Sequence, residues 1–349
     1  MRIPKKIKAA ILVEQRKPLI VDEIQPPDAL DIGQVLVKIH FSGICGSQLG
    51  EINGAKGPDA YLPHLLGHEA SAEVLEIGPG VKYVKPGDLV VMHWRKGIGI
   101  ECAPPKYLWR GSELNAGWIT TFNDYAIVSE NRLTSIPNNS DKEIAALFGC
   151  AITTGFGVAE NNAHIKMGES VVIFGAGGVG LNIIQAASLM SAYPIIAVDL
   201  FDNRLDIAKK MGATHLINSK NRNAENEINV ILKSQGADCF IDNTGVPEII
   251  EMGYKITKPQ GRLVLVGVPR KGNEISIYSL PLHFGKIICG SHGGESIPNI
   301  DIHRYYKLLD HYKINLSDLI TEYYSLDDIN LAIERMVNGE MAGRCLIKM

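Results

Sequence analysis

The sequence predicts an α/β protein in two parts, a small β-rich domain and a doubly wound parallel sheet. Three observations carry that prediction. Residues 1 to about 90 hold short apolar runs separated by turn signals, and from about residue 152 strand-like and helical runs alternate. At 349 residues the chain is also too long for one ordinary core, so two domains are expected.

In the first part the runs are Ala10–Val13, Gln34–His40, Glu73–Ile77 and Leu89–Met92. They are broken by PP at 26–27, GPG at 78–80 and PGD at 86–88, a spacing that suggests a small barrel-like β domain. GICGSQLG (43–50) and LLGHEA (65–70) lie inside it. Residues 93 to 118 have no clear period, hold all three tryptophans and read as a long ordered loop or lobe. FNDYAIV (122–128) returns to strand character.

The second part opens on the apolar, β-branched run Ser170–Phe174. GAGGVG follows, Gly175 to Gly180, then the apolar helical run Leu181–Met190 and a second strand run, Ile195–Val198. Asp199 closes that run, nineteen residues beyond Gly180. Strand, glycine turn, helix, strand and acid in this register form a dinucleotide-binding unit. Gly175, Gly177, Gly178, Val179 and Gly180 bring backbone N–H groups close to a pyrophosphate at the positive end of a helix. An acid at 199 suits the ribose hydroxyls and repels a 2′-phosphate, so NAD is expected over NADP. Further strands are expected at Cys239–Asp242, Arg262–Val268, Ile287–Cys289 and Arg344–Ile347, with helices around Tyr305–Tyr312 and Ile329–Val337.

Composition excludes several classes. With 46% apolar residues and a net charge of −3, no field of one sign argues for nucleic acid or an anionic membrane. No run reaches membrane-spanning length and no signal segment is evident at the start. Six scattered cysteines do not form a disulfide framework, so a cytoplasmic location is expected.

Three residues point to a metal. Cys45, His68 and Cys150 are far apart in sequence, each beside a glycine in a turn-like setting. Cysteine and histidine are the ligands zinc prefers, and three of them with a fourth position open is a catalytic arrangement. Spacing alone does not prove the site. The words around it add to the case: GICGSQ, GHEA, GCAITTGFG, GAGGVG, VDLFDNR and GRCLIK occur in this order. Together they resemble the zinc-dependent alcohol dehydrogenases of the medium-chain dehydrogenase/reductase superfamily. The stretch GCAITTGFGV…GAGGVGL is most similar to the liver-type and class III branch. The resemblance runs from about residue 8 to residue 349.

It implies a GroES-like β-rich catalytic domain from residues 1–151 and 295–349, with a Rossmann NAD-binding domain at 152–294. It implies catalytic zinc on Cys45, His68 and Cys150, with Glu69 as an occasional fourth ligand, and Ser47 as the hydroxyl that accepts the substrate's proton. Thr154 would lie against the nicotinamide, Asp199 and Arg204 at the adenosine ribose, Val266 and Val268 near the carboxamide, and Arg344 at the pyrophosphate. The reaction implied is hydride transfer to NAD from an alkoxide held by zinc.

Four positions depart from the family pattern. Gln48 stands where an acid usually orients the ligand histidine, and it can still accept that bond through its amide oxygen. Gly50 replaces a histidine that ends the proton relay, and Gly46 replaces a basic residue at the cofactor phosphates. Only Cys102 lies in the lobe, too few thiolates for a four-cysteine structural zinc, so one zinc per chain is expected. Cys239, Cys289 and Cys345, in or beside apolar runs, read as core thiols.

Trp94 matches a pocket-lining position, and Arg95, with His93, Lys96, Lys106 and Arg110, reads as a basic rim for a polar, polyol- or sugar-like and even anionic substrate. GNEISIYSL (272–280) alternates apolar and polar residues, and strands there pair across a two-fold axis in such proteins. A homodimer or homotetramer is therefore expected. Two other readings are a zinc-free quinone or enoyl reductase, which the ligand set opposes, and a non-catalytic NAD-binding protein, which the changes at 48 and 50 favour.

Overall fold

A computed structural model describes residues 3–312 and 316–349. The chain divides into two compact units: one comprises residues 1–150, 297–340 and 344–349, the other residues 151–296 and 341–343.

The first unit is built on antiparallel strands. Gln34–Gly43 is its centre, pairing with Glu69–Ile77, with Tyr125–Ser129 and with the C-terminal strand Arg344–Lys348. The sheet continues through Leu89–His93 to Leu133–Ile136 on one side and Ile320–Ser325 on the other. Ile320–Ser325 runs parallel to Arg344–Lys348, with the helix Ile329–Val337 between them in the chain. A smaller sheet joins Ile20–Ile24, Ile7–Leu12 and His64–Leu65. Val35, Val37 and Ile39 bury one face of the central strand against Ala70, Ala72 and Val90, and Leu36 turns the opposite way towards Ile7, Ile11 and Tyr107. This period-2 alternation fills a core on each side of the strand.

The lobe 93–118 is ordered without any close cysteine set. The buried carboxylate of Glu130 accepts the backbone N–H groups of Lys82 (2.6 Å), Tyr83 (2.8 Å) and Ile100 (2.8 Å). Arg132 donates to the Trp94 carbonyl at 2.6 Å and to Glu101 at 2.8 Å.

The second unit is a six-stranded sheet in the order His215–Asn218, Ile195–Asp199, Val171–Phe174, Ala237–Asp242, Thr257–Leu265, Ile287–Gly290. Every pair in it is parallel, and the order steps outward from Val171–Phe174 in both directions, as in a Rossmann sheet. Strands buried on both faces read as continuous apolar runs, which is why VVIF and IIAVD were legible. Two expectations shift here. The strand expected to reach Val268 stops at Leu265, where Val266 and Gly267 turn their N–H groups to the Asp242 carbonyl. Residues 273–279, expected as a strand, form no regular element, and the sheet edge is Ile287–Gly290 instead.

Candidate active site

Cys45, His68 and Cys150 converge in the first unit, their ligand atoms all within 4.8 Å of one another. Each is delivered by a turn beside the central strands. Cys45 follows Gln34–Gly43 and caps the short helix Gly46–Ile52. His68 precedes Glu69–Ile77, and Cys150 follows the helix Lys142–Leu147, whose start is capped by the Asp141 carboxylate. The glycines next to two ligands are sterically required. A Cβ on Gly67, at φ +96°, would stand 2.2 Å from the Thr121 hydroxyl, and one on Gly149 would stand 2.2 Å from the Met92 carbonyl.

The donor set fits zinc. Nε2 of His68 is buried and has no hydrogen-bond partner among the described residues, a costly state unless an ion takes the lone pair. The Cys45 thiol is held well below its ordinary range: the bond to Cys150 contributes most, burial opposes, and Arg344 and His68 add to it. Cys150 is pushed up by the same pairing and by burial. For His68, burial opposes the charged form, but the Cys45 sulfur and Glu69 outweigh it. The cluster is thus already poised to hold negative charge on sulfur, as a metal requires.

Behind the cluster lies an ion pair. Arg344 (3% exposed) donates to the Ile44 carbonyl at 2.6 Å, lies 3.3 Å from Glu69 (fully buried), and approaches the Cys45 sulfur at 3.8 Å. Glu69, expected as an occasional fourth ligand, is outside the three-residue cluster and engages Arg344. Arg344, expected at a pyrophosphate, engages Ile44, Glu69 and Cys45 within the chain itself. Gln48 also differs from expectation. Its amide oxygen accepts the Cys45 N–H at 3.1 Å, so it holds the cysteine's backbone rather than the ring of His68. The opposite amide assignment would set two donors face to face.

A cavity of about 740 Å³ lies beside His68 in this unit. Leu65, Leu66, Pro104, Leu114, Trp118 and Ile119 supply apolar wall, and Gln48, Asp59 and Asn115 add polar groups. Its tryptophan is Trp118 and not Trp94, which sits in the lobe with the Arg95 guanidinium over its ring at 5.8 Å. The basic rim expected around Trp94 is neutralised. Lys96 pairs with Glu101 (3.0 Å), Lys106 with Glu113 (3.0 Å) and Arg110 with Asp22 (3.0 Å). His93 is buried, bonds Thr134 and the Arg95 carbonyl, and has its pKa lowered to about 4, chiefly by burial. Exposed Ser47 stands in the first turn of the Cys45-capped helix.

In the second unit, several of the expected cofactor residues follow the carboxyl ends of the parallel strands. Gly175 follows Val171–Phe174, Gly177 caps the helix Gly178–Leu189, and a Cβ at Gly177 would meet nothing within 4 Å, leaving the turn open for a phosphate. Val179 and Gly180 continue that first turn. Asp199 (5% exposed) accepts the N–H groups of Ala176 (2.7 Å), Leu200 (2.8 Å) and Phe201 (3.1 Å), so the acid also ties the glycine turn to its neighbour. Arg204 lies 3.7 Å from Asp199 and stacks over Phe201. Thr154 is buried on the helix Ala151–Gly157, and Val266 and Val268 follow Thr257–Leu265. Sequence reasoning missed Asp242, buried and accepting from the Thr244 N–H, the Thr244 hydroxyl and the Gly245 N–H; the polar DNTG run after a strand was its signal.

Comparison with known proteins agrees with this geometry. The chain matches the zinc-binding dehydrogenase family over residues 178–313 and the alcohol dehydrogenase GroES-like domain over residues 31–138. Alcohol dehydrogenase-like 2 of Arabidopsis thaliana is 32% identical, covering 99% of this chain and 97% of its own. S-(hydroxymethyl)glutathione dehydrogenase of Paracoccus denitrificans is 32% identical, covering 95% of this chain and 97% of its own. The crystal structure of benzyl alcohol dehydrogenase from Acinetobacter calcoaceticus superposes with a TM-score of 0.88 at 27% identity, covering 99% of this chain and 100% of that one. The chain belongs to the zinc-dependent alcohol dehydrogenases of the medium-chain superfamily. It is an oxidoreductase acting on a small-molecule alcohol or its carbonyl partner, and its cofactors are those of the family, zinc and NAD.

Proposed function

We propose that Cys45, His68 and Cys150 hold the catalytic zinc, and that residues 152–294 bind NAD while the remainder forms the catalytic domain. The convergence of two thiols and an unpartnered imidazole nitrogen beside a cavity carries this reading. When bound there, zinc would supply a Lewis acid that lowers the pKa of a substrate hydroxyl, and NAD would supply the hydride acceptor.

The chain's own residues do the rest. Arg344 and Glu69 fix the Cys45 side of the cluster, and Gln48 fixes its backbone. Ser47, two residues from a ligand, takes the substrate's proton. With glycine at 50, water carries that proton onward. Asp199 sets the preference for NAD, Gly175, Gly177, Gly178, Val179 and Gly180 receive the pyrophosphate, and Thr154, Arg204, Val266 and Val268 line the cofactor's path.

For the substrate, the apolar wall of Leu65, Leu66, Pro104, Leu114, Trp118 and Ile119 favours an alcohol with a bulky apolar group over a phosphorylated polyol. The relatives include both a benzyl alcohol dehydrogenase and an S-(hydroxymethyl)glutathione dehydrogenase, so both kinds of alcohol belong on the test panel. Six free cysteines suit a cytoplasmic location, and no helix among the described residues is long and apolar enough to cross a membrane.

The test is NADH absorbance over a panel of aliphatic, aromatic and polyol alcohols, with and without a chelator. Aromatic or branched alcohols should be turned over best, and the chelator should abolish the signal. Chelator-resistant activity would favour a zinc-free reductase, and no activity on any alcohol would favour a non-catalytic NAD-binding protein.

A further inference from the structure

A second group of metal-ligating side chains lies on the wall of the same cavity. Glu51, Asp59 and His64 offer ligand atoms within 4.8 Å of one another, and none belongs to the thiolate cluster. His64 is 8% exposed, and its Nδ1 lies 2.9 Å from the Leu65 carbonyl. A carbonyl only accepts, so Nδ1 carries a proton; Asp59 Oδ2, 2.9 Å from Nε2, is likewise an acceptor, so without a metal Nε2 donates to Asp59. Nε2 thus faces two carboxylates, Asp59 Oδ2 and, at 4.0 Å, Glu51 Oε1. A cation seated among the three displaces the Nε2 proton and takes the freed lone pair together with the two carboxylates. That single proton leaves one negative charge over against two carboxylates, whereas one divalent cation balances both with the ring neutral.

Among the described residues, no lysine or arginine makes an ion pair with Glu51 or Asp59. Lys106, on the same cavity wall, has its ammonium on Glu113 at 3.0 Å. Among the described residues, the only ion pairs made by Glu51 and Asp59 are those with His64. A ring whose Nδ1–H is fixed by a backbone carbonyl, with Nε2 turned to carboxylates, is also how proteins orient a histidine for metal binding.

We propose that Glu51, Asp59 and His64 form a second divalent-cation site of one nitrogen and two carboxylates. It takes a borderline cation of the zinc or cobalt class, with water completing its coordination. Lacking thiolates, it exchanges its metal on dialysis, whereas the Cys45–His68–Cys150 site retains its own. Occupied, it narrows the cavity from the side of Asp59.

The test is titration of dialysed, zinc-loaded protein with cobalt(II), read by equilibrium dialysis and by absorbance. The site predicts one further equivalent, with weak visible bands and no near-ultraviolet thiolate-to-cobalt band. His64→Gln and Asp59→Asn should abolish that equivalent. Glu51→Gln, at a half-exposed position that does not threaten folding, should weaken it by about tenfold or more. Cys150→Ser should lose the tightly held metal yet keep the exchangeable one, which separates this proposal from the reading of the catalytic zinc. No further equivalent in the unmodified protein, one that survives both His64→Gln and Asp59→Asn, or one that carries the thiolate band would overturn the proposal.

Discussion

Arg344 is the residue on which the thiolate cluster leans. Burial works against its charge, but Glu69 and the two cysteines hold the guanidinium charged. Removing one partner of a buried pair strands the other, so Arg344→Met should destabilise the chain by about 3–5 kcal/mol in urea unfolding. A double change with Glu69→Leu should recover part of that loss; equal stability of Arg344→Met and the parent would mean the pair is not formed. His93 makes a second residue-scale prediction. Its folded pKa of about 4 lies below the ordinary 6.5, so the unfolded chain binds its proton first as pH falls. Stability from the neutral ring is complete above about pH 6.5 and is lost progressively towards pH 4, to a total of roughly 3 kcal/mol. His93→Gln should therefore show a smaller drop in unfolding free energy between pH 7 and pH 4.5 than the parent; an unchanged drop would show that His93 titrates normally. Asp199→Gly should raise kcat/KM for NADP relative to NAD, because it removes a carboxylate from the path of a 2′-phosphate. Equal use of both cofactors by the unmodified enzyme would contradict that role. These residues were unevenly legible. Cys45, His68 and Cys150 sit in short glycine-flanked words that a reader can match, and the chain then brings them within 4.8 Å. The partners of Gln48 and Arg344 depend on which backbone carbonyl or N–H the fold places opposite them, and no local word encodes that.

At the scale of elements, pattern failed where a partner decides the outcome. Buried parallel strands such as Val171–Phe174 announce themselves by continuous apolarity, and the helix Ile329–Val337 by its stripe. Residues 272–280 alternate just as a strand would, but no strand within the described chain pairs with them, and 273–279 form no regular element in the single chain. The lobe 93–118 has no period because its order comes from single polar anchors. Glu130 is the main one, satisfying three backbone N–H groups from two separate loops. Glu130→Ala should leave those donors unpaired and destabilise the chain by about 2–3 kcal/mol in thermal unfolding. Loss of zinc from this variant together with unchanged melting would show that the anchor serves the metal site and not the lobe.

At the scale of the whole molecule, the second unit exposes an apolar group that a lone chain has little reason to keep. Tyr278 (70% exposed), Leu280 (47%), Leu282 (37%) and Phe284 (69%) immediately precede the edge strand Ile287–Gly290 in the chain. A homodimer or homotetramer covering this edge is expected. Light scattering at micromolar concentration should return a multiple of the chain mass, and Phe284→Lys should shift it towards one chain. A monomer mass for the unmodified protein would remove the interface.

The central claim is that the thiolate–imidazole cluster holds the zinc on which alcohol oxidation depends. The direct measurement is reloading: strip the protein with a chelator, add zinc in steps, and follow NADH formation on a turned-over alcohol beside bound metal. Activity should return in proportion to tightly held zinc and saturate at about one equivalent per chain, with Cys150→Ser recovering none. Full activity in the stripped protein, or recovery in Cys150→Ser equal to that of the parent, would contradict the account.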